Sequence, residues 1–247
     1  MNIKKHIPNA ITCGNLLCGC IGILATIKGK PDIGAWMIVS AAVLDFFDGF
    51  IARLLHVSSP IGKELDSLAD VVSFGVLPGF IMYKLIRSAT VINYESCSTD
   101  SCPLILPYLA LIIPVFSALR LAKFNIDTRQ SDSFIGVPTP ANAILIASIP
   151  LMFMHPVSWL NLSGLYEFFK NEYVLLIISV GMSFLLVSEI PLIALKFKDF
   201  SWESNKIRYL FLISSVILLG LLQFAAMPFV IILYILFSVL SSKSNIV

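Results

Sequence analysis

The chain has 247 residues, of which 57% are hydrophobic and only 13% charged, and its formal net charge at pH 7 is +2. Because soluble domains carry roughly 25% charged residues, this composition argues against a water-soluble enzyme, a disulfide-rich secreted scaffold, a disordered chain and a nucleic-acid binder. A chain this apolar is expected to cross a lipid bilayer several times, as one membrane domain covering residues 1–247.

Apolar windows of about 20 residues, the length that spans a bilayer as a helix, predict eight membrane segments in an all-α polytopic fold. They are residues 9–27, 33–55, 64–87, 104–122, 139–156, 173–195, 208–223 and 226–241. The last two are separated by a few residues around Met227 and Pro228, so they form either a tight hairpin or one broken helix.

The basic residues predict an orientation, because Lys and Arg concentrate in the cytoplasmic loops of membrane proteins. With the N-terminus in the cytoplasm, 12 of the 17 basic residues fall on the inner side. We therefore expect both termini to face the cytoplasm in the cell (inner) membrane. The polar loop 88–103 then lies outside, where Cys97 and Cys102 either form a disulfide or remain free thiols.

Acidic residues are concentrated where the second and third predicted spans meet. Five of the 15 lie within the 26 residues from Asp45 to Asp70. Asp45 and Asp48 are three residues apart, and Asp66 and Asp70 are four apart, so each pair shares one face of a helix. A turn near residues 58–60 would make these helices neighbours and bring the four carboxylates together at the cytoplasmic edge of the membrane.

Four uncompensated carboxylates at short range repel one another, and bound divalent cations relieve that repulsion. Oxygen ligands without nearby His or Cys indicate Mg²⁺, Mn²⁺ or Ca²⁺ rather than Zn²⁺. Four carboxylates can hold two ions, an arrangement suited to phosphoryl transfer. The alternative is that they solvate an interfacial loop or pair with Arg53, Lys63 and Arg120. Ionisable groups within membranes are usually functional, which favours the metal site.

The acidic stretch resembles the signature of the CDP-alcohol phosphotransferase family: Asp-x-x-Asp-Gly-x-x-Ala-Arg, eight residues, then Gly-x-x-x-Asp-x-x-x-Asp. Every fixed position is filled, by Asp45, Asp48, Gly49, Ala52, Arg53, Gly62, Asp66 and Asp70. Residues 8–12 are similar to the Pro-Asn-x-x-Thr opening of the family's first span. Residues 119–125 and 134–141 resemble the phosphatidylserine synthase branch, in which Arg-Leu-Ala-basic-Phe-Asn precedes Gly-x-Pro-small-Pro.

The resemblance covers about residues 7–145 and implies a six-helix core, with two extra C-terminal helices outside it, and a homodimer. It implies that CDP-diacylglycerol and L-serine are the substrates, at the cytoplasmic face of the bilayer. The implied metal ligands for two Mg²⁺ or Mn²⁺ ions, with Ca²⁺ able to occupy the site, are Asp45, Asp48, Asp66 and Asp70. Asp70 would also be the catalytic base.

Further roles follow from the same resemblance. The implied contacts of CDP-diacylglycerol are Asn9, Thr12, Asp48, Gly49, Ala52, Arg53, Gly62 and Asp66. Arg120 would bind the serine carboxylate, with help from Asn125. Glu189, which the spans place inside the sixth segment in a buried or pore-facing position, either pairs with Arg120 or faces lipid headgroups.

Two alternatives stay open on the sequence. The same chemistry with glycerol 3-phosphate or inositol phosphate would need basic side chains, which Arg120, Lys123 and Arg129 supply. A cation transporter would use the acidic cluster as an ion path. Transporters place such groups near the bilayer midplane, whereas these carboxylates are predicted at one edge, so the transporter is the weaker alternative.

Overall fold

The computed structural model describes residues 6–57, 59–93, 105–127, 134–193 and 201–244, so Cys97, Cys102 and Arg129 lie outside the described residues. The elements are α1 (His6–Ile27), α2 (Pro31–Leu54), α3 (Pro60–Asp70), α4 (Leu77–Asn93), α5 (Ile105–Tyr108), α6 (Ile112–Ile126), β1 (Phe134–Ile135), α7 (Thr139–Met154), α8 (Ser163–Lys170), α9 (Glu172–Val187), β2 (Pro191–Leu192), α10 (Trp202–Leu222) and α11 (Met227–Ser244). A π-helical turn, Val71–Val76, joins α3 to α4. The two short strands pair antiparallel.

The prediction of an all-α polytopic membrane protein is confirmed. Within the described residues, five helical runs are long and apolar enough to cross a membrane, or six if the bent pair α8–α9 is one span. All eight predicted segments contain helix, but not every one forms a separate helix long enough to cross a membrane. Helix α7 has only 16 residues, α8 and α9 meet at a bend of 73°, and α10 and α11 follow each other in one apolar run, Asn205–Leu240.

That C-terminal run folds back on itself as a hairpin. The rings of Phe211 in α10 and Tyr234 in α11 lie 5.6 Å apart between centroids, whereas a straight helix would separate them by about 34 Å at 1.5 Å per residue. The chain reverses at Gln223, whose φ is +51°. Of the two interpretations of the last two spans, the hairpin is therefore the right one.

The predicted end of the sixth span, residue 195, is wrong. Helix α9 ends at Val187 because Ser188 takes an extended conformation, with φ −64° and ψ 150°. The chain then continues into β2, whose first residue, Pro191, cannot donate the hydrogen bond that a helix needs. Glu189 consequently lies outside the helix and is exposed.

Helix α1 brings together the two helices that carry the aspartates. It packs against α2, α3 and α4. Small residues make this close approach feasible: a Cβ atom at Gly22 would lie only 2.5 Å from Leu77 Cδ2. The ends of α2 and α3 therefore meet beside the first turns of α1.

Local capping fixes where α3 begins. The Ser59 hydroxyl oxygen accepts a hydrogen bond from the Gly62 N–H at 3.0 Å, and Pro60 occupies the first helical position, where its missing N–H does no harm. The π-helical turn begins directly after Asp70 and packs against α6 and α7. Such turns often occur at functional sites.

The interior of the protein is centred on α7, where 11 of 16 residues are buried. It packs against α2, α4 and α11. Outward faces of other helices expose large apolar side chains, such as Leu54 and Ile92, at 65% and 75%. Extensive exposed apolar surface marks contact with lipid, so the polar site described next is an exception in a mostly apolar scaffold.

Candidate active site

Three of the four predicted aspartates converge. One carboxylate oxygen from each of Asp45, Asp48 and Asp66 lies within 4.8 Å of the other two. The first two come from the last turns of α2 and the third from α3. Asp70, one turn after Asp66, interacts electrostatically with all three. We call these four residues the aspartate site.

Helix α1 holds two of these carboxylates through hydrogen bonds. The Thr12 hydroxyl donates to Asp48 Oδ2 at 2.6 Å, a short charge-assisted bond. The Asn15 amide Nδ2 donates to Asp70 Oδ1 at 3.2 Å. Thr12 and Asn15 are three residues apart and share one face of α1, so this helix orients one carboxylate of α2 and one of α3.

The sequence interpretation missed Asn15, although it identified Thr12. Asn15 is fully buried, and its Oδ1 has no hydrogen-bond partner. Its backbone carbonyl accepts a hydrogen bond from the Ser73 hydroxyl at 2.9 Å. The sequence pattern that could have identified Asn15 is its spacing of one helical turn from Thr12. A polar side chain buried in an apolar helix needs a polar partner, and the same face of α1 already presents Thr12.

The donor set fits a hard divalent cation. Asp66 Oδ1 is buried and has no hydrogen-bond partner in the described part of the chain, which leaves its lone pairs for a ligand. In the part of the chain that the structure describes, none of the four aspartates forms an ion pair with Arg53, Lys63 or Arg120. All the converging ligand atoms are carboxylate oxygens, the type that Mg²⁺, Mn²⁺ and Ca²⁺ prefer.

A cavity of about 280 Å³ opens beside the aspartate site. Most residues predicted to contact CDP-diacylglycerol line it: Asn9, Thr12, Asp48, Gly49, Ala52, Gly62 and Asp66. Arg53 is the exception, because it is exposed and does not line the cavity wall. A Cβ atom built on Gly49, which lines the cavity, would lie 3.9 Å from Arg53 Nη1. Arg53 therefore lies at the rim of this cavity.

The two glycines of the cavity have different roles. A Cβ atom at Gly62 would lie 2.9 Å from both Asn9 Oδ1 and Ser59 Oγ, closer than real Cβ atoms come. Gly62 therefore leaves room for the Asn9 side chain at the start of α1. Gly49 has open space around it, since Arg53 is the only described residue that comes within 4 Å of a Cβ built there. Gly49 thus keeps the cavity wide beside Asp48.

Arg120 lies beside the aspartate site, on α6. It is 7% exposed, interacts electrostatically with Asp70, and donates from Nη1 to the Thr139 hydroxyl at 3.2 Å. Its Nε is buried without a hydrogen-bond partner. A buried guanidinium with an unused donor is suited to binding an anionic group of a ligand.

Asn125 makes a different kind of contact from the one predicted. Its Nδ2 donates to the Ser67 hydroxyl at 2.9 Å, and its backbone carbonyl accepts from Lys63 Nζ at 3.5 Å. Both contacts connect the end of α6 to α3. A direct contact between Asn125 and serine stays a prediction.

Residues 5–185 match the CDP-alcohol phosphatidyltransferase family. The chain belongs to this family. The match covers α1 to nearly the end of α9, so the hairpin α10–α11 lies beyond it. The signature residues of the aspartate site and its cavity all fall within the matched region.

Several curated relatives of this family resemble the chain. A CDP-diacylglycerol–serine O-phosphatidyltransferase of Bacillus subtilis is 32% identical over 186 residues, covering 75% of this chain and 89% of the relative. A protein of the same name from Helicobacter pylori is 35% identical over 147 residues, covering 59% and 57%. An archaetidylserine synthase of Methanothermobacter thermautotrophicus is 29% identical over 192 residues, covering 74% and 71%. The match thus spans little more than half the length of the Helicobacter relative.

Proposed function

We propose that the protein transfers the phosphatidyl group of CDP-diacylglycerol to the hydroxyl of L-serine, giving phosphatidylserine and CMP. The observation that carries the proposal is the convergence of Asp45, Asp48 and Asp66 within 4.8 Å beside a cavity lined by the family's signature positions. The relatives named as serine O-phosphatidyltransferases support serine as the acceptor.

The aspartate site would hold one or two divalent cations, Mg²⁺ or Mn²⁺, through Asp45, Asp48, Asp66 and Asp70. When bound, such ions neutralise pyrophosphate charge and stabilise the leaving group. The nucleotide would occupy the cavity between Asn9 and Gly62, where the open space beside Gly49 admits it. Arg53, exposed at the rim, would bind a phosphate oxygen.

Asp70 is the proposed general base. Its Oδ1 accepts the hydrogen bond from Asn15, which leaves Oδ2 to take the proton of the serine hydroxyl. The serine oxygen then attacks the phosphorus that bears diacylglycerol. The bond from that phosphorus to the bridging oxygen breaks, and CMP departs with the bridging oxygen. Arg120, adjacent to Asp70, would bind the serine carboxylate and so orient the hydroxyl toward the base.

The proposal includes a location for this chemistry. The distribution of Lys and Arg supports a location of both termini and the aspartate site at the cytoplasmic face of the cell membrane. There the diacyl chains of the donor stay in lipid, while serine arrives from water. A homodimer, which the family resemblance implies, is part of the same proposal.

The test uses purified full-length protein in detergent with CDP-diacylglycerol and Mn²⁺ or Mg²⁺. Labelled serine, glycerol 3-phosphate and inositol phosphate are supplied in parallel, and labelled lipid and CMP are both measured. We expect label from serine alone to enter lipid, with an equal amount of CMP, and chelation by EDTA to stop both.

Other outcomes separate the parts of the proposal. Transfer to one of the phosphorylated alcohols, and not to serine, would overturn the assignment of serine as the acceptor. The assignment to the family and its phosphatidyl-transfer chemistry would still hold. Absence of CMP release with every acceptor would overturn the enzymatic function, and ion flux through reconstituted vesicles would then support the transporter alternative.

A further inference from the structure

A second cavity, of about 320 Å³, lies between the end of α6 and the residues that follow α9. We call it the α6–α9 cavity. Its volume is at the lower end of the range for small-molecule sites, roughly 300–1,000 Å³. The α6 side carries Arg120, Lys123 and Asp127, and the α9 side ends in Ser188 and Glu189.

Arg120 connects this cavity with the aspartate site. It lines the α6–α9 cavity and also interacts electrostatically with Asp70. Among the described residues its buried Nε has no hydrogen-bond partner, while Nη1 donates to Thr139. A carboxylate bound to Arg120 from the cavity would therefore lie next to the proposed base.

The rim of the cavity carries separated charges of opposite sign. Lys123 follows Arg120 by three residues on α6, so the two cations share one face, and both Lys123 and Glu189 are exposed. Among the described residues, neither Lys123 nor Glu189 forms an ion pair. The α6 wall thus carries two cations beside Asp127, and the opposite wall carries the Glu189 carboxylate. Cations facing a carboxylate complement a zwitterion, and Glu189 repels a phosphorylated alcohol.

The wall that carries Glu189 is held in place by specific backbone bonds. Gly136 has a φ of +75°, and its N–H donates to the Ile190 carbonyl at 3.0 Å. A Cβ atom there would lie 2.5 Å from the Leu186 carbonyl oxygen and 3.0 Å from that of Ser188. Gly136 therefore lets the chain after β1 approach the end of α9 closely enough to close the cavity.

The C-terminal hairpin supports the same wall. The Tyr234 hydroxyl donates to the Ile193 carbonyl at 3.0 Å, and the Ile193 N–H donates to the Ser238 hydroxyl at 3.1 Å. Both side chains belong to α11. The hairpin, which lies beyond the family match, thereby anchors the strand that follows Glu189.

We infer that the α6–α9 cavity binds the amino-acid acceptor, with Glu189 as a specificity-determining residue that binds the acceptor's ammonium group. Arg120 and Lys123 bind its carboxylate, and the hydroxyl points to Asp70. This inference rests on the proposed function, because it assumes that serine is the acceptor.

The test compares wild-type full-length enzyme with Glu189→Gln and Glu189→Asp. The KM for L-serine is measured with CDP-diacylglycerol in excess, together with the inhibition constant of 3-hydroxypropanoate, which keeps the hydroxyl and carboxylate of serine but lacks the ammonium group. We expect Glu189→Gln to raise the KM for serine about tenfold, the effect of one lost charge-assisted hydrogen bond. The inhibition constant of 3-hydroxypropanoate should not rise, and Glu189→Asp should recover part of the affinity for serine.

Glu167→Gln is the matched control, because Glu167 is an exposed carboxylate on α8 that pairs only with Lys170 among the described residues. An unchanged KM for serine in Glu189→Gln would overturn the inference, as would an equal loss of affinity for serine and 3-hydroxypropanoate. Neither result would affect the proposed function, which fails only if the wild-type enzyme does not transfer to serine.

Discussion

The aspartate site and the α6–α9 cavity are built in different ways. The four aspartates come from 26 consecutive residues, and among the described residues only Thr12 and Asn15 reach them from elsewhere through side-chain hydrogen bonds. The α6–α9 cavity is assembled from segments more than 60 residues apart, α6 and the end of α9. A strand anchored by α11 supports it.

This difference separates two tasks of the proposed reaction. The pyrophosphate group of a CDP-alcohol needs the same ligands whatever the acceptor is, and two helices that are neighbours along the chain, α2 and α3, carry the proposed ligands. The acceptor differs between enzymes of such chemistry, and in our proposal it is bound by the α6–α9 cavity, whose lining residues belong to neither α2 nor α3. Changes in the aspartate site should therefore affect catalysis or the donor, and changes around the α6–α9 cavity should affect serine.

The largest effect is expected where the two regions meet, at Asp70. Asp70→Asn removes the proposed base and should lower kcat by about 10²- to 10⁴-fold, the usual contribution of general acid–base catalysis. CMP release measures the loss, and thermal unfolding in detergent checks that the variant folds. Asp32→Asn, in the first turn of α2 and far along that helix from the aspartate site, is the control and should keep its activity. Substantial turnover by Asp70→Asn would show that another group takes the proton.

A smaller effect is expected from the residue that orients this base. Asn15→Ala removes the hydrogen bond to Asp70 Oδ1 and should lower kcat about tenfold, at the upper end of what one hydrogen bond contributes. The KM for each substrate should change little. Ser183→Ala is the matched control, since it deletes a buried hydroxyl whose one hydrogen bond within the described residues is to its own helix, at the Ser179 carbonyl. An equal fall of kcat in both variants would mean that Asn15 supports folding only.

The contrast between the two regions also explains what could be predicted from the sequence. Helical spacing alone places Asp45 with Asp48 and Asp66 with Asp70, and the apolar runs predict the helices, because both signals are local. Arg120 was identified through the resemblance to a family. Other features depend on packing between distant segments, which no local sequence pattern reports. They are the contact of Asn125 with Ser67, the hydrogen bond from Tyr234 to Ile193 and the position of Glu189 outside α9.

A still smaller effect is expected on the binding of the donor, CDP-diacylglycerol. Gly62→Ala would put a methyl group 2.9 Å from both Asn9 Oδ1 and the capping Ser59 Oγ, so these two side chains, which face the nucleotide cavity, must move. We expect the KM for CDP-diacylglycerol to rise about fivefold, equivalent to roughly 1 kcal/mol, while the KM for serine stays the same. Gly181→Ala in α9 is the control, because nothing lies within 4 Å of a Cβ built there. A rise in the KM for serine instead would contradict the separation of the two regions.

The smallest effect is expected from a contact between the C-terminal hairpin and the acceptor wall, made by Tyr234, which also interacts electrostatically with Arg120. Tyr234→Phe removes the hydrogen bond to the Ile193 carbonyl and loosens the strand after Glu189. The KM for serine should rise about threefold, within the range of one neutral hydrogen bond, with the KM for CDP-diacylglycerol unchanged. Tyr166→Phe deletes a comparable bond, from the Val157 N–H at 3.0 Å, away from both cavities and should leave both KM values as they are. If Tyr234→Phe lowered stability as much as Tyr166→Phe and changed neither KM, then α11 would support the fold without shaping the acceptor cavity.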